Sequence, residues 1–144
     1  MDFKYRKFPN DPKNTPFPNH KNALRPVIQI DFDSPNGGFG YFALIDSGAD
    51  YCIFHASIGE QLGLDIKTGQ KLIFYGISGE PQEAFFHTIS FKIGGNIHKC
   101  GVGFSYDMEK LAYGILGQYG FFDKWRIRFE YDKENVELKE IIKR

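Results

Sequence analysis

The sequence predicts a single, mainly β domain with one or two short helices. Aromatic residues make up 17% of the chain, with 15 Phe and 8 Tyr, and such flat, bulky side chains suit the half-buried surface of a sheet. Near the C-terminus, Trp125, Ile127, Phe129 and Tyr131 alternate with charged residues, which is the period of a strand with one buried face. The length of 144 residues suits one domain with its own core.

The other elements follow from turn signals between apolar runs. Residues 27–32 and 39–45 flank Asn-Gly-Gly, which predicts a hairpin. Ser57 and Glu60 have capping-box spacing ahead of Gly63, which predicts a helix over residues 57–63. Further strands are predicted at residues 71–75, 84–93 and 98–104, and a turn at 132–135 leads to a last strand containing Val136 and Leu138.

Residues 1–22 differ from the rest of the chain because four of the seven prolines fall there: Pro9, Pro12, Pro16 and Pro18. Proline at this density disfavours both a helix and a central strand. We therefore divide the chain into a Pro-rich N-terminal arm, 1–22, and a domain, 23–144. The arm is either an unstructured leader or an extended segment laid across its own domain or a partner, with Phe3, Tyr5, Phe8 and Phe17 to bury.

Charge and composition exclude several classes of function. Lys+Arg and Asp+Glu are 18 each, so the chain lacks the basic excess of a nucleic-acid binder. No apolar run approaches the ~20 residues that span a bilayer. The two cysteines, Cys52 and Cys100, are too few for a disulfide framework and no signal-peptide pattern opens the sequence, so we expect a reducing, cytoplasmic location. The four histidines lack zinc-ligand spacing, and no metal site is predicted.

The segment that carries chemistry is an apolar strand ending in Asp46, with Ser47, Gly48, Ala49 and Asp50 directly after it. A carboxylate at the end of a hydrophobic strand is poorly solvated, so it needs hydrogen-bond partners or a proton. Ser47 offers a neighbouring hydroxyl. Gly48 and Ala49 are small enough for another backbone or a substrate to approach closely. We call residues 46–50 the Asp46 loop.

This segment resembles the Asp-Thr/Ser-Gly-Ala motif of aspartic peptidases, and Asp50 makes it similar to the retropepsin-like, single-domain branch. Two downstream segments strengthen the resemblance. A Gly-containing hairpin candidate over residues 75–80 stands where the family has its flap, and Ile115-Leu116-Gly117 matches the family's hydrophobic-hydrophobic-Gly motif. The segment 121–125 and the charged, alternating hairpin after it resemble the ends of the bacterial members.

The resemblance implies an aspartic endopeptidase with a retropepsin-like acid-protease fold and no cofactor. Because Asp-Ser/Thr-Gly occurs once in the chain, we expect a twofold homodimer that presents Asp46 twice. Asp46 is then the catalytic residue, and Ser47, Gly48 and Ala49 support its loop. An extended peptide or protein substrate would add as a strand against a set of loop and flap residues: Gly48, Asp50, Gly76, Ile77, Ser78 and Gly79.

One departure from the family concerns Gln118. Retroviral members commonly carry Arg at this position, paired with the residue that corresponds to Asp50, so Asp50 must find another partner or stay solvated. This leaves a second hypothesis open, namely a non-catalytic dimeric peptide-binding or assembly module of the same fold. A third is a dormant peptidase in which the arm, residues 1–22, covers the cleft.

Overall fold

The computed structural model describes residues 1–76, 79–108 and 112–142. Within these ranges the chain forms strands β1 (Asp2–Lys4), β2 (Arg6–Pro9), β3 (Asn22–Arg25), β4 (Val27–Phe32), β5 (Phe39–Ile45), β6 (Ile53–His55), β7 (Gln70–Tyr75), β8 (Pro81–Ile93), β9 (Asn96–Ser105), β10 (Gly114–Leu116), β11 (Trp125–Glu130) and β12 (Asn135–Glu140). The helices are α1 (Ala56–Gln61) and three single 3-10 turns at Ile66–Thr68, Tyr106–Met108 and Tyr131–Lys133. The mainly β prediction is confirmed.

The largest sheet has the strand order β4-β5-β10-β6-β9-β8-β7. The predicted hairpin is confirmed as β4–β5, which pair antiparallel with Gln29 opposite Phe42. Two pairings are parallel: β5 with β10 and β6 with β9. Strand β8 also pairs with β4 through Asp31 and Lys92, so this sheet curls back on itself and encloses a core. The predicted strands at 71–75, 84–93 and 98–104 are confirmed as β7, β8 and β9.

Two small sheets complete the fold, and both include the N-terminal segment. Strand β1 pairs antiparallel with β12, which pairs in turn with β11. Strand β2 pairs with β3. Of the two alternatives for this segment, residues 2–9 therefore follow the extended arm laid across its own domain rather than the unstructured leader. The predicted boundary between the arm, 1–22, and the domain, 23–144, stays a prediction. The pairing of β2 with β3 joins residues on both sides of it.

The core explains why the chain is rich in phenylalanine. Phe32, Phe54, Phe104 and Phe121 are fully buried. The ring of Phe54 packs edge to face against the rings of Phe32 and Phe104, with distances between ring centroids of 6.1 Å and 6.2 Å. Burying each such side chain contributes about 1.5–3 kcal/mol, and edge-to-face packing adds to that. The core therefore fixes the sheet from which the functional loop extends.

Helix α1 begins differently from the prediction. Its N-cap is His55, whose Nδ1 accepts the backbone N–H of Ser57 at 3.0 Å. Ser57 lies in the first turn, so the predicted Ser57–Glu60 capping box is wrong, and Glu60 instead accepts a hydrogen bond from the Tyr106 hydroxyl at 2.6 Å. Gly63 follows the helix with φ +81°, as its C-terminal position predicted. No helix in the described ranges is long and apolar enough to cross a membrane.

Candidate active site

Asp46 lies at the end of β5 and is held there by the neighbouring strand β10. Its backbone N–H donates to the carbonyl oxygen of Leu116 at 3.0 Å, which extends the parallel pairing of Leu116 with Ile45. Both Ile45 and Leu116 are buried. Close packing of these two side chains makes the paired strands rigid. The half-buried side chain of Asp46 therefore has a fixed position at the edge of the core.

The residues after Asp46 form a tight turn that orients its carboxylate. Oδ1 of Asp46 accepts the backbone N–H of Gly48 at 2.9 Å, and the N–H of Ala49 donates to the Asp46 carbonyl oxygen at 3.2 Å. A Cβ at position 48 would lie 3.2 Å from that same Oδ1. Glycine therefore leaves the space in which the carboxylate receives its backbone donor, and this charge-assisted hydrogen bond limits its rotation.

A second segment, residues 117–119, supports the Asp46 loop from behind. The N–H of Gln118 donates to the Ala49 carbonyl oxygen at 2.9 Å, and that of Tyr119 donates to the Asp50 carbonyl oxygen at 2.8 Å. A Cβ at Gly117 would meet the Ala49 carbonyl oxygen at 2.7 Å and crowd the backbone of residue 51. Only glycine permits this close approach, so the Ile-Leu-Gly motif packs directly against the loop.

The side chain of Gln118 bonds to the loop itself. Its Nε2 donates to the carbonyl oxygen of Ser47 at 2.8 Å. Asp50 is exposed and makes no ion pair with any residue in the described part of the chain. Asp50 therefore stays solvated, the second of the two outcomes expected for it, and Gln118 serves the loop through the backbone instead.

A cavity of about 430 Å³ opens beside Asp46. Its walls combine the Asp46 loop with the β7–β8 hairpin and an apolar floor: Asp46, Gly48, Ala49, Asp50, Tyr51, Ile53, Phe74, Tyr75, Gly76, Gln82, Met108 and Ile115. The buried floor residues Ile53 and Met108 belong to a small hydrophobic cluster separate from the main core. A cavity of this size with a few polar groups at one end is typical of ligand sites.

The β7–β8 hairpin faces the Asp46 loop across this cavity. Phe74 and Tyr75 line it from β7, Gly76 lines it directly after β7, and Gln82 lines it from β8. At the tip, the N–H of Gly79 donates to the Gly76 carbonyl oxygen at 2.9 Å, and Gly79 has φ +76°, a conformation that favours glycine. An acidic loop below and a glycine-containing hairpin above are thus arranged around one space large enough for peptide side chains.

Comparison with known proteins identifies the fold. No protein-family model matches the sequence, and no curated protein matches it. In structure, the chain is similar to a retropepsin-like aspartic protease from Rickettsia conorii, with a TM-score of 0.52 and 20% identity over 78% of this chain and 80% of that one. The chain has a retropepsin-like fold. It is also similar to the EIAV protease complexed with the inhibitor HBY-793, with a TM-score of 0.48 and 21% identity over 65% of this chain and 82% of that one.

The retropepsin-like fold brings most of the described, sequence-predicted site residues together. Five of them line the cavity: Asp46, Gly48, Ala49, Asp50 and Gly76. Ser47 is exposed and contributes its carbonyl oxygen to the Gln118 bond rather than lining the cavity. Gly79 closes the hairpin turn. Ile77 and Ser78 lie outside the described residues, and the pairing of two Asp46 residues stays a prediction.

The sequence does not predict the apolar wall of this cavity. Tyr51 and Ile53 line the cavity, whereas Cys52 and Phe54 between and after them point into the main core. The period-two alternation of a strand would place Tyr51 and Ile53 on one face, but the segment is too short for this pattern to predict a strand. Met108 and Gln82 carry no local signal, because only the tertiary fold brings them to Asp46.

Within residues 1–76, 79–108 and 112–142, no group of three or more His, Cys, Asp or Glu side chains could hold a metal ion. Buried His98 has other partners: its Nε2 bonds to the Gly120 carbonyl oxygen at 2.7 Å, and its Nδ1 accepts from Trp125 Nε1 at 3.2 Å. That histidine therefore has a structural role beneath the segment that supports the Asp46 loop.

Proposed function

We propose that this chain is an aspartic endopeptidase that works as a twofold homodimer, with Asp46 of each copy in one shared site. The single observation that carries the proposal is the position of the Asp46 carboxylate at the edge of the 430 Å³ cavity, with Oδ1 fixed by the Gly48 N–H. The retropepsin-like fold supports it, as does the presence of one Asp-Ser-Gly motif per chain, since the chemistry needs two carboxylates.

The proposed mechanism follows from placing two carboxylates together. Two carboxyl groups a few ångströms apart cannot both lose their protons without strong repulsion between the carboxylates. The pair of Asp46 residues therefore holds one proton between them. The charged Asp46 takes a proton from a water held between the two carboxylates, and the water oxygen attacks the scissile carbonyl carbon. The protonated Asp46 gives its proton to the carbonyl oxygen, so a neutral, tetrahedral, diol-like intermediate forms. The Asp46 that took the water proton then gives it to the amide nitrogen while the other Asp46 takes a proton back from a hydroxyl of the intermediate, the C–N bond breaks and the amine leaves.

The proposed substrate is an extended peptide or protein segment. Gly48 and Asp50 would hold its backbone from below, and the hairpin tip at Gly76, Ile77, Ser78 and Gly79 would close over it. Backbone hydrogen bonds of this kind supply affinity, whereas side-chain pockets supply selectivity. The buried Ile53 and Met108 of the cavity floor favour apolar substrate side chains.

We further propose that the protein belongs to the bacterial type of retropepsin-like peptidase and acts in a reducing cytoplasm. The first proposal is supported by the segment 121–125 and the charged, alternating strands β11 and β12 that follow it. The second is supported by the cysteine content, because two cysteines, Cys52 and Cys100, are too few for a disulfide framework. Neither proposal affects the chemistry at Asp46.

The decisive experiment replaces Asp46 with asparagine. The asparagine side chain keeps an oxygen for the Gly48 N–H, so Asp46→Asn should fold and dimerise normally in sedimentation, while cleavage of a peptide library disappears. Asp132→Asn, which changes an exposed turn carboxylate, should cleave like the unmodified protein. A statine-type transition-state mimic should inhibit the active protein. Metal-independent cleavage that survives Asp46→Asn would refute the assignment.

The alternative is a non-catalytic dimeric peptide-binding or assembly module of the same fold. It is favoured by Gln118, which bonds to the backbone of Ser47 and leaves Asp50 without an ionic partner among the described residues. The same peptide library separates the two functions. Peptides retained intact by the unmodified protein, with no products, would establish the binding module instead.

A further inference from the structure

Two thiols meet directly behind the wall of the cavity. Cys52 precedes β6 and Cys100 lies in β9, and both belong to the main core, with exposed fractions of 0% and 5%. Their side chains are close enough for each thiol to shift the pKa of the other. Gly120 lies beneath both: a Cβ there would be 3.3 Å from Cys52 Sγ and 3.4 Å from the Cβ of Cys100. The pair is therefore brought together by the fold and not by sequence neighbourhood.

A second cavity leads from the surface to Cys100. It has a volume of about 340 Å³ and is lined by Tyr51, Phe86, Cys100, Gly101, Tyr119, Gly120, Asp123 and Lys124. Cys100 forms part of its wall. A molecule as small as hydrogen peroxide fits easily into such a volume and can reach Cys100 from it, and Cys52 lies beside Cys100 above Gly120.

The two thiols influence each other. Their interaction lowers the pKa of the Cys52 thiol and raises that of Cys100, while burial raises the pKa of both. Because the thiolate is the nucleophile in sulfur oxidation, the sulfur that reacts first has the other beside it to resolve the product.

We propose that Cys52 and Cys100 are a reversible oxidation site that closes to a disulfide on reaction with hydrogen peroxide. The thiolate of one cysteine attacks one peroxide oxygen, the O–O bond breaks, and the sulfenic acid of that cysteine forms, while the released hydroxide takes up the proton that the thiol lost and becomes water. The sulfur of the other cysteine then attacks the sulfenic sulfur, the S–O bond breaks, and the leaving hydroxide takes the second thiol proton as a second water. The two sulfurs lose two electrons in total, and the peroxide gains them.

The disulfide would act on the peptide cleft, a consequence that depends on the proposed function. Cys52 stands between Tyr51 and Ile53, both of which line the cavity beside Asp46. Its Sγ donates to the Tyr119 carbonyl oxygen at 3.7 Å, and Tyr119 forms a bridge with Tyr51. Oxidation removes that donor hydrogen and ties Cys52 to β9, so Tyr51 and Ile53 must shift with it.

Intact mass tests the oxidation site independently of any peptidase activity. The reduced, full-length protein is treated with hydrogen peroxide, unfolded and alkylated. We expect the loss of two hydrogens, no alkylation, a cross-linked peptide pair containing residues 52 and 100, and full reversal by dithiothreitol. Cys52→Ala and Cys100→Ala should each fail to cross-link. Recovery of two free thiols, or separate oxygen adducts on each cysteine, at peroxide levels that oxidise Met1 would overturn the proposal.

Two readouts test the effect on the cleft. Amide hydrogen exchange at residues 51–53 should change on oxidation in the unmodified protein and not in Cys100→Ala, whatever the protein does to peptides. The affinity of a labelled statine-type peptide should change by about fivefold or more, the lower end of typical coupling between sites. If the disulfide forms and neither the hydrogen exchange nor the peptide affinity changes, the coupling to the cleft is overturned. If hydrogen exchange at residues 51–53 changes but the peptide never binds, only the proposed function is contradicted.

Discussion

The side-chain amide of Gln118 donates to the carbonyl oxygen of Ser47 at 2.8 Å, while the backbone N–H of Gln118 donates to Ala49. A single residue therefore bonds to the Asp46 loop on both sides of Gly48, the residue whose N–H fixes the Asp46 carboxylate. The hydrogen bond is exposed, so its net contribution to stability is small. Its effect should instead be on the geometry of the loop, where small displacements of a reacting group are costly to catalysis.

Removing this side-chain bond should lower activity more than stability. We expect Gln118→Ala to reduce kcat/KM for peptide cleavage by about tenfold, because the loop is less well ordered, and to change the free energy of unfolding by only about 0.5 kcal/mol. Gln118→Arg keeps N–H donors in reach of Ser47 and should retain more activity. Peptide kinetics and urea unfolding measure the two effects. Equal activity of Gln118→Ala and the unmodified protein would show that the bond does not position the loop.

Gly117 should tolerate no side chain. A Cβ at this position would meet the carbonyl oxygen of Ala49 at 2.7 Å, and both partners are backbone that cannot rotate away. We therefore expect Gly117→Ala to destabilise the protein by about 1–3 kcal/mol and to displace the Asp46 loop. Gly101→Ala is the matched control, because a Cβ at Gly101 has no atom within 4 Å. Equal urea midpoints for the two variants would contradict this account of the Ile-Leu-Gly motif.

The sequence was most informative where a local pattern determines structure. The alternation around Trp125 and Ile127 predicted β11, and the apolar strand before Asp46 predicted a loop that the structure places beside a cavity. The predicted start of α1 is wrong because serine is a residue type common at the N-cap, whereas the N-cap of this helix is His55. Which of two neighbouring side chains accepts the free N–H depends on rotamers and tertiary packing, and not on composition alone.

Long-range pairing accounts for what could not be predicted. The pairing of Phe3 with Val136 joins residues near the two ends of the chain, and nothing in a proline-rich segment indicates that partner. The cavity wall likewise combines Tyr51 with Met108 and Gln82, which are distant in sequence. Short-range periodicity can place a side chain on a face of its own strand, but it cannot say which other strand that face meets.

The N-terminal strand should stabilise the domain rather than block its cleft. Phe3 packs against the main core, and the Met1 carbonyl oxygen accepts the Leu138 N–H at 2.8 Å. No described residue of 1–22 lines the cavity beside Asp46. We therefore expect removal of residues 1–22 to lower the melting temperature without raising peptide cleavage, contrary to the hypothesis of a dormant enzyme covered by its arm.

A matched pair of phenylalanines refines that prediction. Phe3→Ala should cost about 1–3 kcal/mol of unfolding free energy, because a partly buried ring is lost. Phe17→Ala should cost less than about 0.5 kcal/mol, since that ring is 66% exposed. Urea unfolding of both variants measures the difference. Higher cleavage by the truncated protein, or equal stability of the two variants, would contradict the structural role of the arm.

His98 should make the protein less stable in mild acid. Burial lowers the pKa of His98, and the cation of Lys124 acts in the same direction, while the bond to Gly120 and the carboxylates of Asp123 and Glu140 oppose this. The ring is neutral, with Nδ1 accepting the Trp125 Nε1–H at 3.2 Å. Protonation would place a second donor there and leave the indole N–H without its acceptor.

The sign of the pH effect follows from proton binding in the two states. Unfolded His98 takes up a proton near its ordinary value of about 6.5, whereas the folded protein resists doing so. The contribution of His98 to stability is therefore complete above about pH 6.5 and falls as the pH drops from there toward the lower folded pKa, by at most about 1.4 kcal/mol per pH unit. Urea unfolding at pH 7.5, 6.5 and 5.5 should show this decline, and His98→Gln should show a shallower one. The pKa of His98 in the folded, unmodified protein can be measured by following its ring resonance with NMR as the pH is changed. A measured pKa at or above 6.5 would rule out this origin of acid sensitivity, even if His98→Gln failed to fold.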